Sequence, residues 1–284
     1  MNLHLSTSEL FIPDQMPVPA AFERITHLGV GAHQDDLEFM AYHGILAGLS
    51  DPEHCFGGVT CTNGHGSSRT GPYAGCTDSD LGCIRRAEQN AAAVIGHYGA
   101  MIQLGYSSAE INNPQDHRPK DDLAEILRAT RPRIVYTHNP ADKHRTHLGV
   151  FASLLAAIRS LPRDQRPSAV WGCEVWRTLD WMLDDEKLTM DVSGHDHLAA
   201  ALNGVFDSQI SGGKRYDLAI AGRRSANATF HNPRTSDQTT SLILGIDLTP
   251  LAHDDSLDPV NYICGYIDRF AADVRTNLSA QILR

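Results

Sequence analysis

The chain has no CxxC pair, no run of about 18 apolar residues and no excess of positive charge. Each absence excludes something. Six cysteines, at 55, 61, 76, 83, 173 and 264, are too few and too scattered for a disulfide scaffold, and they predict reduced thiols in the cytoplasm. Without a long apolar run no transmembrane helix is expected. The N-terminus, MNLHLSTSELFIPDQMPVPAAF, lacks the basic start and apolar stretch of a signal peptide. Lys plus Arg is 24 against 34 for Asp plus Glu, a formal charge of −10, so nucleic acid is a poor partner and no polybasic run offers a hold on an anionic membrane. Neutral or cationic small molecules remain open as partners.

What is present is ample core material. Of 284 residues, 42% are hydrophobic and 20% charged, which rules out a disordered chain. A chain of this size buries roughly three quarters of its unfolded surface and folds without a structural metal. A metal site is therefore free to serve chemistry.

Apolar runs alternate with helical patterns through the first two thirds, the signature of parallel βαβ units. Strands are expected at 25–32, 57–62, 101–106, 133–138 and 170–176. Helices are expected at 36–49, 80–97, 121–130 and 146–161. The helix at 80–97 is expected to be capped by Ser79 or Asp78 and to pack through Ala87, Ala91, Val94 and Ile95. Its Arg85, Arg86 and Glu88 read as a solvated face with one internal ion pair. A polar loop rich in Gly and Ser, residues 63–80, is long enough to be functional. Beyond residue 180 the rhythm changes. A strand is expected at 188–193 and amphipathic helices at 195–209 and 262–283, whereas 212–259 gives no clear pattern. The expectation is a single α/β domain over 1–284: a Rossmann-like three-layer sandwich with a mostly parallel sheet, its core at about 25–180, and an appended C-terminal layer at about 181–284.

Two constellations carry chemistry. The first, His33-Gln34-Asp35-Asp36, follows the first parallel strand and opens a helix, where open parallel sheets bind ligands. His33 and Asp36 offer a nitrogen and an oxygen suited to Zn²⁺ or a similar divalent ion. Asp35 is a neighbouring carboxylate free to take a proton. An Asp in a helix's first turn is by itself more often a cap than a ligand. Gly29-Val30-Gly31 begins like a dinucleotide fingerprint, but its third glycine would fall at Gln34, so nucleotide binding is rejected.

The second constellation, His138-Asn139-Pro140-Ala141-Asp142-Lys143-His144-Arg145-Thr146-His147, also leaves the end of a strand. A helix that begins at about this point would put His144 and His147, three residues apart, on one face. With fifteen histidines in the chain some clustering is chance, and His138 fits that reading.

Together these stretches resemble the PIG-L/LmbE-like family of zinc-dependent N-deacetylases, which carry an AHPDDE-like tetrad and an H-P-x-D-x-H-x-x-H-like motif in this order. Thr62-Asn63-Gly64, Arg86-Ala87-Glu88-Gln89 and Leu104-Gly105-Tyr106 look similar too. Gln34 departs from the family's usual Pro, and Ser107 from its usual Asp.

The resemblance implies His33, Asp36 and His147 as metal ligands. It implies Asp35 as general base, and His144 as the group that stabilises the oxyanion or protonates the leaving amine. The implied cofactor is Zn²⁺, with another divalent ion such as Fe²⁺ suiting the same donors. The implied reaction removes an N-acetyl group from an N-acetylglucosamine-type sugar or conjugate. An amidase for a larger N-acyl conjugate, or an inactive metal- or sugar-binding module, is the alternative.

Arg69, Asp142 and Asp180 are the candidate substrate contacts. Trp176, Arg177, Asp180 and Trp181 form an aromatic and polar cluster. Its plainer reading is core tryptophans with a structural ion pair. His65 sits in the glycine-rich loop and carries no assigned role. Oligomeric state stays open, and a homo-oligomer is compatible with the composition.

Overall fold

A computed structural model describes residues 1–282. Eight strands form one sheet in the order β1-β4-β3-β2-β5-β6-β8-β7. They are β1 (Glu9–Phe11), β2 (His27–Gly31), β3 (Phe56–Thr62), β4 (Ala100–Tyr106), β5 (Ile134–His138), β6 (Ala169–Cys173), β7 (Leu188–Asp191) and β8 (Leu242–Asp247). The five central strands, β4 to β6, pair in parallel. β1, β8 and β7 pair antiparallel at the two edges.

β2 and β3 are buried along their whole length, as parallel strands covered on both faces must be. The helices are α1 (Val18–Glu23), α2 (Asp36–Met40), α3 (Tyr42–Ser50), α4 (Asp78–Ile95), α5 (Ser108–Ile111), α6 (Arg118–Thr130), α7 (Arg145–Arg159), α8 (Asp196–Gly204), α9 (Asp207–Ile210), α10 (Tyr216–Phe230), α11 (Thr249–His253) and α12 (Pro259–Ile282). One apolar cluster joins the sheet to Leu123 and Leu127 of α6, Val150 and Leu154 of α7 and Leu251 of α11. The other joins it to Leu37 of α2, Ile45 of α3, Ala92 of α4, Leu202 of α8 and Ile220 of α10. These two layers enclose the sheet, so the expected three-layer α/β sandwich is observed. The C-terminal segment extends the same sheet through β7 and β8 and lays α8 and α10 over it.

Several boundaries differ from expectation for physical reasons. β1 escapes because three residues carry no period. The helix expected at 36–49 is broken at Ala41, where α2 gives way to α3. At that break the Glu38 and Phe39 carbonyls accept from Arg224 Nη2 of α10 at 2.6 and 3.2 Å, a support no local pattern reveals. The cap of α4 is Thr77, one residue before the expected pair, in a reciprocal capping box with Asp80. The buried face of α4 is Leu81, Arg85, Gln89, Ala92 and Ala93, whereas Ala87, Ala91 and Val94 are not part of it. The helix expected at 195–209 is split into α8 and α9. The end of the last expected helix, Leu283, lies outside the described residues.

α3 lies close to the sheet because Gly48 has no side chain. A Cβ there would stand 2.9 Å from the Phe56 backbone nitrogen of β3. Gly48→Ala is therefore expected to destabilise the protein by about 1–3 kcal/mol through overpacking, measured as a lower midpoint in denaturant with unchanged slope.

Candidate metal centre and active site

The sheet changes direction between β2 and β5: β3 and β4 follow β2 on one side, β5 and β6 on the other. Crevices form at such switch points beyond the carboxyl ends of the strands. Both constellations open there. His33 to Asp36 follow β2, and His138 to His147 run from the end of β5 into α7.

The turn after β2 is held tightly. Asp36 folds its carboxylate back so that Oδ2 accepts from the Ala32 and His33 backbone N–H groups at 3.0 and 2.7 Å. Asp35 sits at φ 111°, a strained backbone for a non-glycine residue. Two side chains of α4 fix it there. Gln89 Oε1 accepts from the Asp35 N–H at 3.2 Å, and Arg85 Nη2 donates to the Gln34 carbonyl at 2.6 Å. Gln34 replaces the rigid proline of the family pattern with hydrogen bonds. Its Nε2 donates to the Thr62 carbonyl and to Gln103 Oε1 at 3.0 and 3.2 Å. Gly64, at φ +72°, keeps the following loop clear of Gln34, whose Oε1 lies 2.5 Å from where a Cβ would be.

Three donor atoms converge. His33 Nδ1 is 3.3 Å from Asp36 Oδ2 and 3.3 Å from His147 Nε2, and His147 Nε2 is 3.6 Å from Asp36 Oδ2. Ligands at 2.0–2.1 Å around a tetrahedral ion stand about 3.3–3.4 Å apart, so this triangle fits one face of such a centre. The tautomer agrees. His147 Nδ1 faces Asp142 Oδ2 at 3.3 Å, and a carboxylate only accepts, so Nε2 is left as a bare lone pair aimed at the other two donors. Three acceptors pointed at one another repel unless a cation lies between them. His144 forms a second possible cluster with His33 and His147, and its buried Nδ1 has no hydrogen-bond partner. His138 stacks on His147 at 3.7 Å, its Nε2 accepts from the Ala32 N–H at 2.9 Å, and with Asp36 and His147 it makes up a further group of donors close enough to hold an ion.

Burial sets the electrostatics. It drives His33 and His138 down to about 4, keeping both imidazoles neutral. Asp36 is also opposed by burial, but His147 and His138 outweigh it and hold the carboxyl well below the usual range. Asp35 goes the other way. Burial raises it well above that range, the Arg85 guanidinium pulls it back, and Asp36 and Glu38 push it further up.

His33, Asp35, Asp36 and His144 line a cleft of about 470 Å³, and His147 is fully buried in contact with His33 and His144. Arg85 is a residue that sequence reading missed. Read as solvated, it is 2% exposed, with Nη2 3.4 Å from Asp35 Oδ2 and Nη1 bonded to Ser67. The signal was its position in α4, where a polar stripe of Arg85 and Gln89 turns inward.

Of the expected substrate contacts, none stands in the cleft. Arg69 spends its guanidinium inside its own loop, on the Cys76 carbonyl and on Asp78. Asp180 is exposed, with its carboxylate accepting from Thr178. Asp142 is buried behind the histidines. It accepts from the His144 and Trp176 backbone N–H groups at 3.1 and 3.0 Å and orients His147. Burial resists its ionisation, but the hydrogen bond with His147 and those two N–H donors hold it at about 2. Trp176 is 36% exposed and lines the cleft, and Arg177 and Asp180 form no ion pair among the described residues, so the core-tryptophan reading fails there. His65 lines the cleft as well. Ser107 caps α5 in a box with Glu110, which occupies its hydroxyl.

Asp142→Asn is expected to weaken divalent-ion affinity about 10–100-fold by releasing His147 from its fixed orientation. Competition against a chelating indicator measures it, with the melting temperature as a control for folding.

Comparison with known proteins agrees with this architecture. Residues 28–158 match the PIG-L family, described as GlcNAc-PI de-N-acetylase. The chain carries a PIG-L domain over those residues. No curated protein matches by sequence. Among solved structures, the conserved protein TT1542 from Thermus thermophilus is similar at a TM-score of 0.60 and 18% identity, over 78% of this chain and 94% of that one. GalB, the 4-carboxy-2-hydroxymuconate hydratase from Pseudomonas putida, gives 0.58 and 20%, over 78% and 95%. The N,N'-diacetylchitobiose deacetylase from Pyrococcus horikoshii gives 0.56 and 16%, over 81% and 87%. At these identities the likeness shows the fold. No helix among the described residues is long and apolar enough to cross a membrane.

Proposed function

We propose that this chain is a divalent-metal-dependent N-deacetylase acting on an N-acetylglucosamine-type sugar or sugar conjugate. The observation that carries the reading is the triangle of His33, Asp36 and His147 at 3.3–3.6 Å at the cleft, with Asp35 lining the same cleft. Two neutral imidazoles and a carboxylate suit Zn²⁺, and Fe²⁺ fits the same donors. Once bound, the ion supplies a Lewis acid that polarises the acyl carbonyl and lowers the pKa of water.

The chain's own groups do the rest. Asp35 takes the proton of the attacking water as its oxygen bonds to the acyl carbon. When the C–N bond breaks, Asp35 or His144 returns a proton to the leaving nitrogen, giving acetate and a free amine. The oxygen that gains charge in between accepts a hydrogen bond from His144 when that imidazole carries its proton. Arg85 and Gln89 act through Asp35 by holding its strained backbone and aiming its carboxylate. GalB shares the fold and is a hydratase, so fold alone does not choose the reaction. The ion triangle beside an acid–base carboxylate favours hydrolysis. Free thiols at all six cysteines fit a reducing compartment such as the cytoplasm.

The test is release of acetate and amine, in equal amounts, from a panel of N-acyl glucosaminides with zinc present. Acetyl substrates are expected to be cleaved fastest. Preference for a long acyl chain would move the assignment to a larger-acyl amidase, and no cleavage of any amide would overturn it.

A further inference from the structure

We propose that α12 is a self-association element, through which two copies of this chain pair as an antiparallel, two-stranded coiled coil. The inference is independent of the reaction assigned to the cleft.

Along α12, Val260, Cys264, Ile267, Ala271, Val274 and Leu278 follow one another at intervals of four, three, four, three and four residues. That 3.5-residue repeat is the seam of a left-handed coiled coil, and Gln281 continues it. The seam is not the side that holds the helix to the body. Ile263 is the buried residue of α12, and Tyr262 and Tyr266 pack on the core beside it. The Tyr262 hydroxyl donates to the Asp247 carbonyl at 2.9 Å, and Arg269 pairs with Glu186. On the seam, by contrast, Val260, Ile267, Val274 and Leu278 are 67%, 40%, 44% and 56% exposed. From Val274 to Ile282 every residue is exposed, so the last turns leave the body behind. A helical stretch this short and unsupported is marginal in water, and packing on its apolar face would steady it.

The flanking charges choose the occupant. Asp268 and Arg275 stand one heptad apart, each directly after a seam residue and on the same side of the seam. Neither forms an ion pair among the described residues. An antiparallel two-fold brings equivalent flanks together, so Asp268 faces the partner's Arg275 and Arg275 the partner's Asp268. The same register sets Ile267 against the partner's Leu278 and Ala271 against the partner's Val274, again twice over. A parallel pair would instead set the two charges against Ile263 and Phe270, which carry none. A lipid surface fits less well. Between residues 260 and 282 the charged side chains are Asp268, Arg269, Asp273 and Arg275, with no surplus of cations.

Sedimentation equilibrium of the full chain reads the mass directly. Two helices of this length bury a small interface, so a Kd of about 10 µM is expected. Val274→Asp alters a side chain already exposed in the monomer. It is expected to weaken association at least about tenfold, with the melting temperature of the dilute monomer unchanged. Asp268→Arg and Arg275→Asp are each expected to weaken it too, because symmetry makes every reversal count twice; combined in one chain they restore it. Gln281→Cys reports the register. Roughly 25 Å of helix separates that position from Cys264 of its own chain, whereas the partner's Cys264 lies opposite. Oxidation is therefore expected to give a covalent dimer that Cys264→Ser abolishes.

A chain that stays monomeric up to about 100 µM overturns the proposal. So does a dimer indifferent to Val274→Asp, or one that either single reversal leaves as tight as the wild type. A monomer that sediments with anionic vesicles would give the face to lipid and overturn it as well.

Discussion

Asp35→Asn is expected to lower kcat about 10²–10⁴-fold, the usual contribution of a positioned general base. Its carboxylate lies outside the His33, Asp36 and His147 triangle, so zinc content, measured by elemental analysis, should match the wild type. KM should move little, because the lost group acts on the proton rather than on the bound sugar. Turnover at the wild-type rate would remove Asp35 from the chemistry.

The pH profile carries an independent signature. Burial raises the Asp35 pKa, so its basic form is gained only as pH climbs past the ordinary carboxylate range. The acid limb of kcat should therefore lie above that range. Arg85→Gln should shift it further up, since it removes the cation that opposes the effect of burial.

Chelation is the second large effect. Dialysis against a chelator should bring amide cleavage to background, and zinc should restore it. The far-UV circular dichroism should stay constant throughout. The core explains why: two apolar layers enclose an eight-stranded sheet, and the proposed ligands sit beyond the strand ends. Global unfolding on chelation would instead make the ion part of the scaffold. Loss of structure with no loss of rate is not compatible with either role.

The motif residues were legible because two loops leaving neighbouring parallel strands must open on one edge of the sheet. The resemblance to the PIG-L/LmbE-like motifs then selected His33, Asp36 and His147 from the candidates in those loops. The supports behind them were hidden by their own polarity. Arg85 and Gln89 occupy the buried stripe of α4, so hydrophobic periodicity pointed to a different face, that of Ala87 and Ala91. Asp142 was legible as part of a constellation but not as a support, since only coordinates show it behind His147. The segment 212–259 gave no pattern, yet it forms α10 and β8. α10 buries Arg224 and places Arg223 at the cleft, so its inward side does not read as apolar. A helix that turns guanidinium groups inward looks like a loop to any count of hydrophobic residues.

The interrupted turn at Ala41 carries a consequence for how this protein can be cut. Arg224 reaches back across the sequence to serve the carbonyls of Glu38 and Phe39, and its guanidinium rests 4.6 Å from the centre of the Tyr42 ring. A fragment stopped near residue 180 would keep both motifs and still lose the brace on the helix that Asp36 opens. Grafting the tail of another PIG-L-domain protein onto this core would succeed only if the donor tail delivered an equivalent cation to that same broken turn.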